Sequence, residues 1–310
     1  MNNSFQNKKE LRFVITLGNA RTFQGGSANQ ITLEGYRAVV DIDRGGGMMA
    51  GTLNAQIYGV PQSDMNACVT YQYQPLTLSS GYIFNTIKVF AIEGAQETLV
   101  FTDGYIHFAM GNYLSQPDVF LEIQAQSLYA EQLTPAPPTS FNGSFDVASA
   151  MDQFANKLGL TLEPNGVNVQ LKDQYLPNTI WEQTKTLAQA ANIDIYLDPP
   201  VLAITPPNTA RGTAMTSNTA MGTGGTPILS KDTGMVGYPT FNSQGVLLKA
   251  LFNPAVRYGG SIQIVSDIPN ANGTFIARGI AYRLESEKPN GAWFMTILAT
   301  KGNYAFWNGG

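Results

Sequence analysis

The chain has 310 residues, enough for two or three domains, with 44% apolar and only 13% charged side chains. Ordinary soluble proteins carry about a quarter charged residues, so much of this surface is expected to face protein rather than water. A formal charge of -4, with no basic cluster larger than Lys8, Lys9 and Arg12, excludes a nucleic-acid footprint; the single cysteine, Cys68, excludes a disulfide framework and a cysteine-based metal cage.

Met1 to Arg12 lacks the apolar core of a signal peptide, and no stretch approaches the ~18 apolar residues of a membrane span. The chain is therefore expected to be made in a reducing cytoplasm, to stay soluble and not to insert into a membrane. Its first third reads as strands. Leu11, Phe13, Ile15 and Leu17 alternate with polar positions, and Ile31, Leu33 and the run from Tyr36 to Ile42 follow. This period of two, in aromatic and β-branched residues, is the mark of half-buried strands. Gly45-Gly46-Gly47 interrupts it; Leu53, Ala55, Ile57 and Tyr58 resume it. Ile87 to Ile92 and Glu97 to Phe101 predict a hairpin across Glu93-Gly94, and Tyr105 to Ala109 with Val119 to Ala125 predict another. Many short strands at regular spacing point to a barrel or sandwich.

Pro135, Pro137 and Pro138 cannot sit in a sheet interior, because proline fixes φ and removes a backbone donor. A domain boundary is predicted there. The period then changes: Val147, Ala150, Met151, Phe154, Ala155 and Leu158 share one helical face, with Asp146 as N-cap and Gly159 as terminator. Leu160 and Leu162, a turn at Pro164-Asn165-Gly166, then Val167 and Val169 predict a short hairpin. A second helix follows, opened by the capping box of Thr179 with Glu182 and lined by Ile180, Trp181, Thr184, Leu187, Ala188 and Ala191. Asn192 stands where Gly159 stood, and Ile193 to Leu197 with Val201 to Ile204 predict a hairpin around Asp198-Pro199-Pro200. Phe154 matches Leu187 and Leu158 matches Ala191 at an offset of 33 residues, the pattern of a duplicated α-β-β unit.

Residues 207–233 are rich in Gly, Thr, Ala, Asn and Ser and too poor in large apolar residues to fold alone. They are read as a loop or linker ordered against a neighbour. Strands return at Val246 to Phe252, Ser261 to Val265, Phe275 to Leu284 and Trp293 to Ala299, with turns at Asn253-Pro254, Pro269 to Gly273 and Pro289-Asn290-Gly291. Tyr304, Phe306 and Trp307 close the sequence, and exposed aromatics of this kind dock on something.

Enzyme chemistry needs convergent titratable groups. His107 is the only histidine and alternates with Ile106 and Phe108, as a strand-face residue does. Cys68 reads as a small buried hydrophobe. Asp41 and Asp43 would share a strand face and could hold a cation or act as an acid/base pair, but Arg37 and Arg44 offer ion pairs instead; Glu285 and Glu287 repeat the spacing beside Arg283 and Lys288. Gly45-Gly46-Gly47 has no following Lys-Ser/Thr, and Gly222, Gly224 and Gly225 have no strand ahead and no helix behind, so neither run is a phosphate loop. No catalytic, cofactor-binding or metal-binding residue is assigned, and no cofactor is expected.

The run Val236-Gly237-Tyr238-Pro239-Thr240-Phe241, then Gly245 through Asn253-Pro254 to Arg257 and Gly259-Gly260-Ser261-Ile262, resembles the baseplate hub proteins of contractile-tailed, Mu-like bacteriophages. The helix-hairpin repeat from Ser144 to Thr205 is similar to the middle domain of those hubs, and the strand-rich start from Leu11 to Ala130 is similar in plan. The resemblance implies a mainly β fold with a smaller α+β domain: two tail-tube-like β-barrel domains, over 1–135 and 234–310, flank a duplicated α-β-β domain over 140–206, with 207–233 as linker. It implies a structural subunit of the virion, not an enzyme. Three copies would form a pseudo-six-fold ring that joins the tail-tube protein to the central spike protein, contacts other baseplate components, and lets viral DNA pass without specific binding. A carbohydrate-binding β-module at a tail tip, stacking sugars on Trp181, Trp293 or Trp307, is the first alternative, and a peptidoglycan hydrolase using Asp41, Asp43 or Glu285 the second.

Overall fold

The computed structural model describes residues 8–23, 28–45, 48–70, 83–212 and 226–301. They fall into two compact units. The first comprises Met1–Asp43, Ala50–Thr134 and Tyr282–Trp293; the second comprises Arg44–Met49, Pro135–Ala281 and Phe294–Gly310.

The first unit is built from β1 (Lys9–Thr16), β2 (Gln30–Glu34), β3 (Ala38–Arg44), β4 (Thr52–Tyr58), a short α1 (Gln62–Cys68), β5 (Thr86–Glu93), β6 (Gln96–Asn112), β7 (Phe120–Ser127) and α2 (Tyr129–Leu133). The predicted alternation has its physical counterpart here. Leu11, Phe13 and Ile15 of β1 point into the core, as do Val40 and Ile42 of β3 and Leu53, Ala55 and Ile57 of β4. The β5–β6 hairpin turns at the predicted place, pairing Glu93 with Gln96 while Gly94 takes φ +63°. All the pairings among these strands are antiparallel.

The second unit contains β8 (Thr139–Asp146), α3 (Val147–Lys157), β9 (Thr161–Glu163), β10 (Gln170–Leu176), α4 (Ile180–Ala190), β11 (Asp194–Asp198), β12 (Val201–Thr205), β13 (Ile228–Leu229), β14 (Met235–Asn242), β15 (Gly245–Leu251), β16 (Ser261–Ile264), β17 (Gly273–Ser286) and β18 (Trp293–Thr300). The ends of β17 and β18 carry the chain into and out of the first unit. Both helices are capped as expected: the Asp146 carboxylate accepts a hydrogen bond from the Ser149 amide at 2.8 Å, and Thr179 Oγ1 accepts one from the Glu182 amide at 3.3 Å. Gly159 and Asn192 follow them in the left-handed region, at φ +71° and +48°. The two helices pack on each other, with Phe154 of α3 and Leu187 of α4 fully buried.

Two expectations are corrected. The first is the hairpin over 160–169. Its turn forms, with Asn165 and Gly166 at positive φ, but its two arms part. β9 lies parallel to β12, while β10 pairs antiparallel with β8. The short β9 buries more by joining the β11–β12 hairpin, whose Leu197, Leu202 and Ala203 are fully enclosed.

The second correction is larger: the architecture is mainly β with a smaller α+β region, but among the described residues no sheet closes into a barrel. In the first unit the strands run β3-β4-β7-β6-β5-β1-β2, and among the described residues β2 pairs only with β1. The free edge of β3, where β2 would have to arrive, is taken by β17. In the second unit the path is β14-β15-β18-β17-β16-β13. Its two ends are poor partners, since β13 has two residues and β14 is broken by a register shift between Val236 and Thr240. Alternation along a strand decides which face is buried; it does not decide whether the first and last edges meet.

Candidate functional site

The densest polar chemistry lies inside the second unit, and it is built around Arg211. This guanidinium is fully enclosed. Its Nε and Nη2 donate to Glu163 Oε2 at 3.1 and 2.9 Å, and its Nη1 donates to Asp198 Oδ2 and to the Tyr258 carbonyl, both at 2.9 Å. Arg44 also pairs with Asp198, and Arg257 Nη2 pairs with Glu163 Oε1 at 2.9 Å. Beside them the nearly enclosed Arg278 donates to Asp194 Oδ2 at 2.7 Å and to the Tyr196 hydroxyl. Tyr196 meets the Tyr258 ring edge-on at 5.2 Å, and the Tyr258 hydroxyl donates to the Gly45 carbonyl at 2.5 Å.

Burial opposes the charge on Asp198, but Arg44 and Arg211 overcome it and hold the carboxyl below the usual carboxylate range. Burial pushes the Tyr196 phenol well above its ordinary range. Each charged side chain named in this cluster thus has an opposite charge as its partner. The arrangement joins β9, β11 and the segment that follows β12 to the β15–β16 connection and to β17; it is a brace, not a reaction centre. Sequence reasoning missed it. The one available signal was that Arg211 is the only charged residue between Asp198 and Lys231.

The acids singled out from the sequence do not converge on a site. Asp41 pairs with Arg283 rather than with Arg37 or Arg44, which go to Asp118 and Asp198. Asp43 lies at the exposed end of β3. Glu285 is buried, which opposes its charge, yet Lys288 at 2.8 Å and the Ala292 amide at 3.0 Å favour the carboxylate and make it more acidic than an ordinary glutamate. Glu287 pairs with Lys8. These are ion pairs between strands and turns.

His107 is half-buried at the register shift between Ile106 and Phe108, against the Tyr129 ring, and burial lowers its basicity. Cys68 is buried at the end of α1, and burial first, then Asp64, pushes its thiol up to about 12. Trp181 and Trp293 are 1% and 2% exposed, so neither can stack on a sugar. Trp307, with Tyr304 and Phe306, and Gly46, Gly47, Gly222, Gly224 and Gly225 lie outside the described residues. Among the described residues no group of three His, Cys, Asp or Glu side chains could hold a metal ion, and no helix is long and apolar enough to cross a membrane.

What the described surface does offer is open sheet edge. β2 ends the first path, and β14 ends the second with Val236, Tyr238 and Phe241 at 40%, 64% and 53% exposure. Between β13 and β14 lies a groove of about 390 Å³, lined by Ile228, Met235, Tyr238 and Val265 and rimmed by Lys231 and Asp267.

Comparison with known proteins gives this surface its setting. A family model described as baseplate hub gp41 matches residues 61–297, more than half of the chain. No curated protein sequence matches. The fold is similar to that of the tail protein from Neisseria meningitidis MC58, with a TM-score of 0.58 and 11% identity over 95% of this chain and 97% of that one. It is equally similar to the 43 kDa tail protein of prophage MuSo2 from Shewanella oneidensis, with a TM-score of 0.58 and 10% identity over 94% and 97%. The E. coli c3393 protein, a component of the type VI secretion system with structural similarity to the T4 bacteriophage tail proteins gp27 and gp5, aligns with a TM-score of 0.50 and 9% identity over 87% and 74%. At such identities the likeness is one of fold; the family match carries the assignment. The chain belongs to the baseplate hub gp41 family and is a structural, non-enzymatic component of the phage tail baseplate that works among other tail proteins.

Proposed function

We propose that this hub subunit assembles as a homotrimer whose two sheet-bearing halves form a pseudo-six-fold ring. The ring joins the tail tube to the central spike, and its lumen passes viral DNA without specific binding. In this reading 1–135 and 234–310 are the two halves, 140–206 braces neighbouring subunits, and 207–233 reaches toward one. No residue serves as a catalytic, cofactor or metal site.

The observation that carries the reading is the pair of open edges, β2 in one unit and β14 in the other. An unpaired strand edge is a template for association, and a subunit that presents two of them is suited to a closed ring of copies. The low charge agrees, because the core of an obligate interface is depleted in charged residues. Native mass measurement of the purified protein tests it. A species at three times the 33.5 kDa chain mass is expected, and a stable monomer at micromolar concentration overturns it.

A further inference from the structure

We infer that the groove between β13 and β14 is a docking site for the aromatic segment 302–310 of the same chain. The groove combines the apolar side chains of Ile228, Met235, Tyr238 and Val265 with Ser230, Ser266 and a charged rim of Lys231, Asp232 and Asp267, and it lies at the place where the second unit's strand path fails to close. Its wall residues are exposed in the described structure: Ile228 at 46%, Tyr238 at 64% and Val265 at 45%. Side chains of this size, gathered in one concavity, are a patch that soluble proteins cover.

The chain supplies a cover of matching chemistry. Residues 302–310 read Gly-Asn-Tyr-Ala-Phe-Trp-Asn-Gly-Gly; none carries a charged side chain, and Tyr304, Phe306 and Trp307 are aromatic.

The segment also starts in the right place. Lys301, the last described residue, holds its ammonium 5.4 Å from the Phe275 ring centroid, and a Cβ on Gly273 would meet its Cε at 4.0 Å. Phe275 and Gly273 pair with Ile262 and Ile264 of β16, and Val265, next in the chain, lines the groove. At the rise of a strand, Ile262 is roughly 10 Å from Val265. Nine extended residues span up to about 30 Å, enough to round the end of the β16–β17 hairpin and lie in the groove. A cover tethered at this distance meets its site at high effective concentration, which favours the chain's own groove over another copy's.

Trp307 provides the test, since Trp181 and Trp293 are already buried. Acrylamide quenching of tryptophan emission is measured on the full chain and on the groove variants Val265→Asp and Tyr238→Ser. Both substituted positions are exposed, and two variants guard against one failing to fold. Low quenching in the parent chain, unchanged on tenfold dilution, and at least twofold higher quenching in either folded variant are expected. Equal quenching in parent and folded variants overturns the inference. So does protection that disappears on dilution, which would mean that the segment docks on another copy.

Discussion

Arg211 is the residue whose loss the second unit would feel most. Replacing it by methionine keeps the volume of its stem but leaves the partly buried Glu163 and Asp198 with fewer partners. Breaking a buried pair from one side costs about 3–5 kcal/mol. Arg44 and Arg257 remain to hold the two acids, so Arg211→Met is expected at the lower end, about 3 kcal/mol, read from the midpoint of urea unfolding. Asp198 makes the same cluster sensitive to acid. Its folded carboxyl is more acidic than its unfolded one, so its contribution is complete above an unfolded value of about 4 and is lost as pH falls through the lower, folded value. Thermal melts from pH 6 down to pH 3 are therefore expected to fall more steeply in the parent than in Asp198→Asn. These residues were illegible beforehand for a physical reason. Glu163, Asp198, Arg211 and Arg278 are far apart along the chain, and only the path of β9, β12 and β17 brings their charges together. Local spacing carries no trace of that.

At the scale of elements, local chemistry spoke clearly. Asp146 and Thr179 were readable as caps because a cap is made within four residues, and both hydrogen bonds are present. Asp146→Ala is expected to cost about 1 kcal/mol, measured as a shift in unfolding midpoint with unchanged slope. The buried faces of β1, β3 and β4 were legible too, since a period of two has one meaning when one face is wet. Partner choice was not. The turn at Asn165-Gly166 was visible, yet where its arms would pair depended on β12 and β8, which the turn itself does not encode. β8 was overlooked because Thr139 to Asp146 is polar and gives only a weak alternation.

At the scale of the molecule, the resemblance carried by the run from Val236 to Ile262 and by the helix-hairpin repeat pointed to the right family, and the low charge agreed with a subunit that faces other protein. They could not reveal that the sheets stay open, which is decided by edges and not by faces. Open edges make the assembly prediction specific. Phe241 lies on β14, is 53% exposed and stands away from the charged cluster, so Phe241→Lys is expected to change monomer stability by less than about 0.5 kcal/mol. A lysine on an edge strand discourages pairing with another chain. The variant should therefore lower the trimer fraction in analytical ultracentrifugation if β14 is a ring contact.

The sharing of β17 and β18 between the units has its own outcome during synthesis. The first unit draws Tyr282–Trp293 from late in the chain, long after Thr134 has been made. At 5–20 residues per second the ribosome needs about seven to thirty seconds to cover that interval. Through that time the flank of β3 waits uncovered on the nascent polypeptide, a vulnerable surface that chaperones could shield until the late strand arrives.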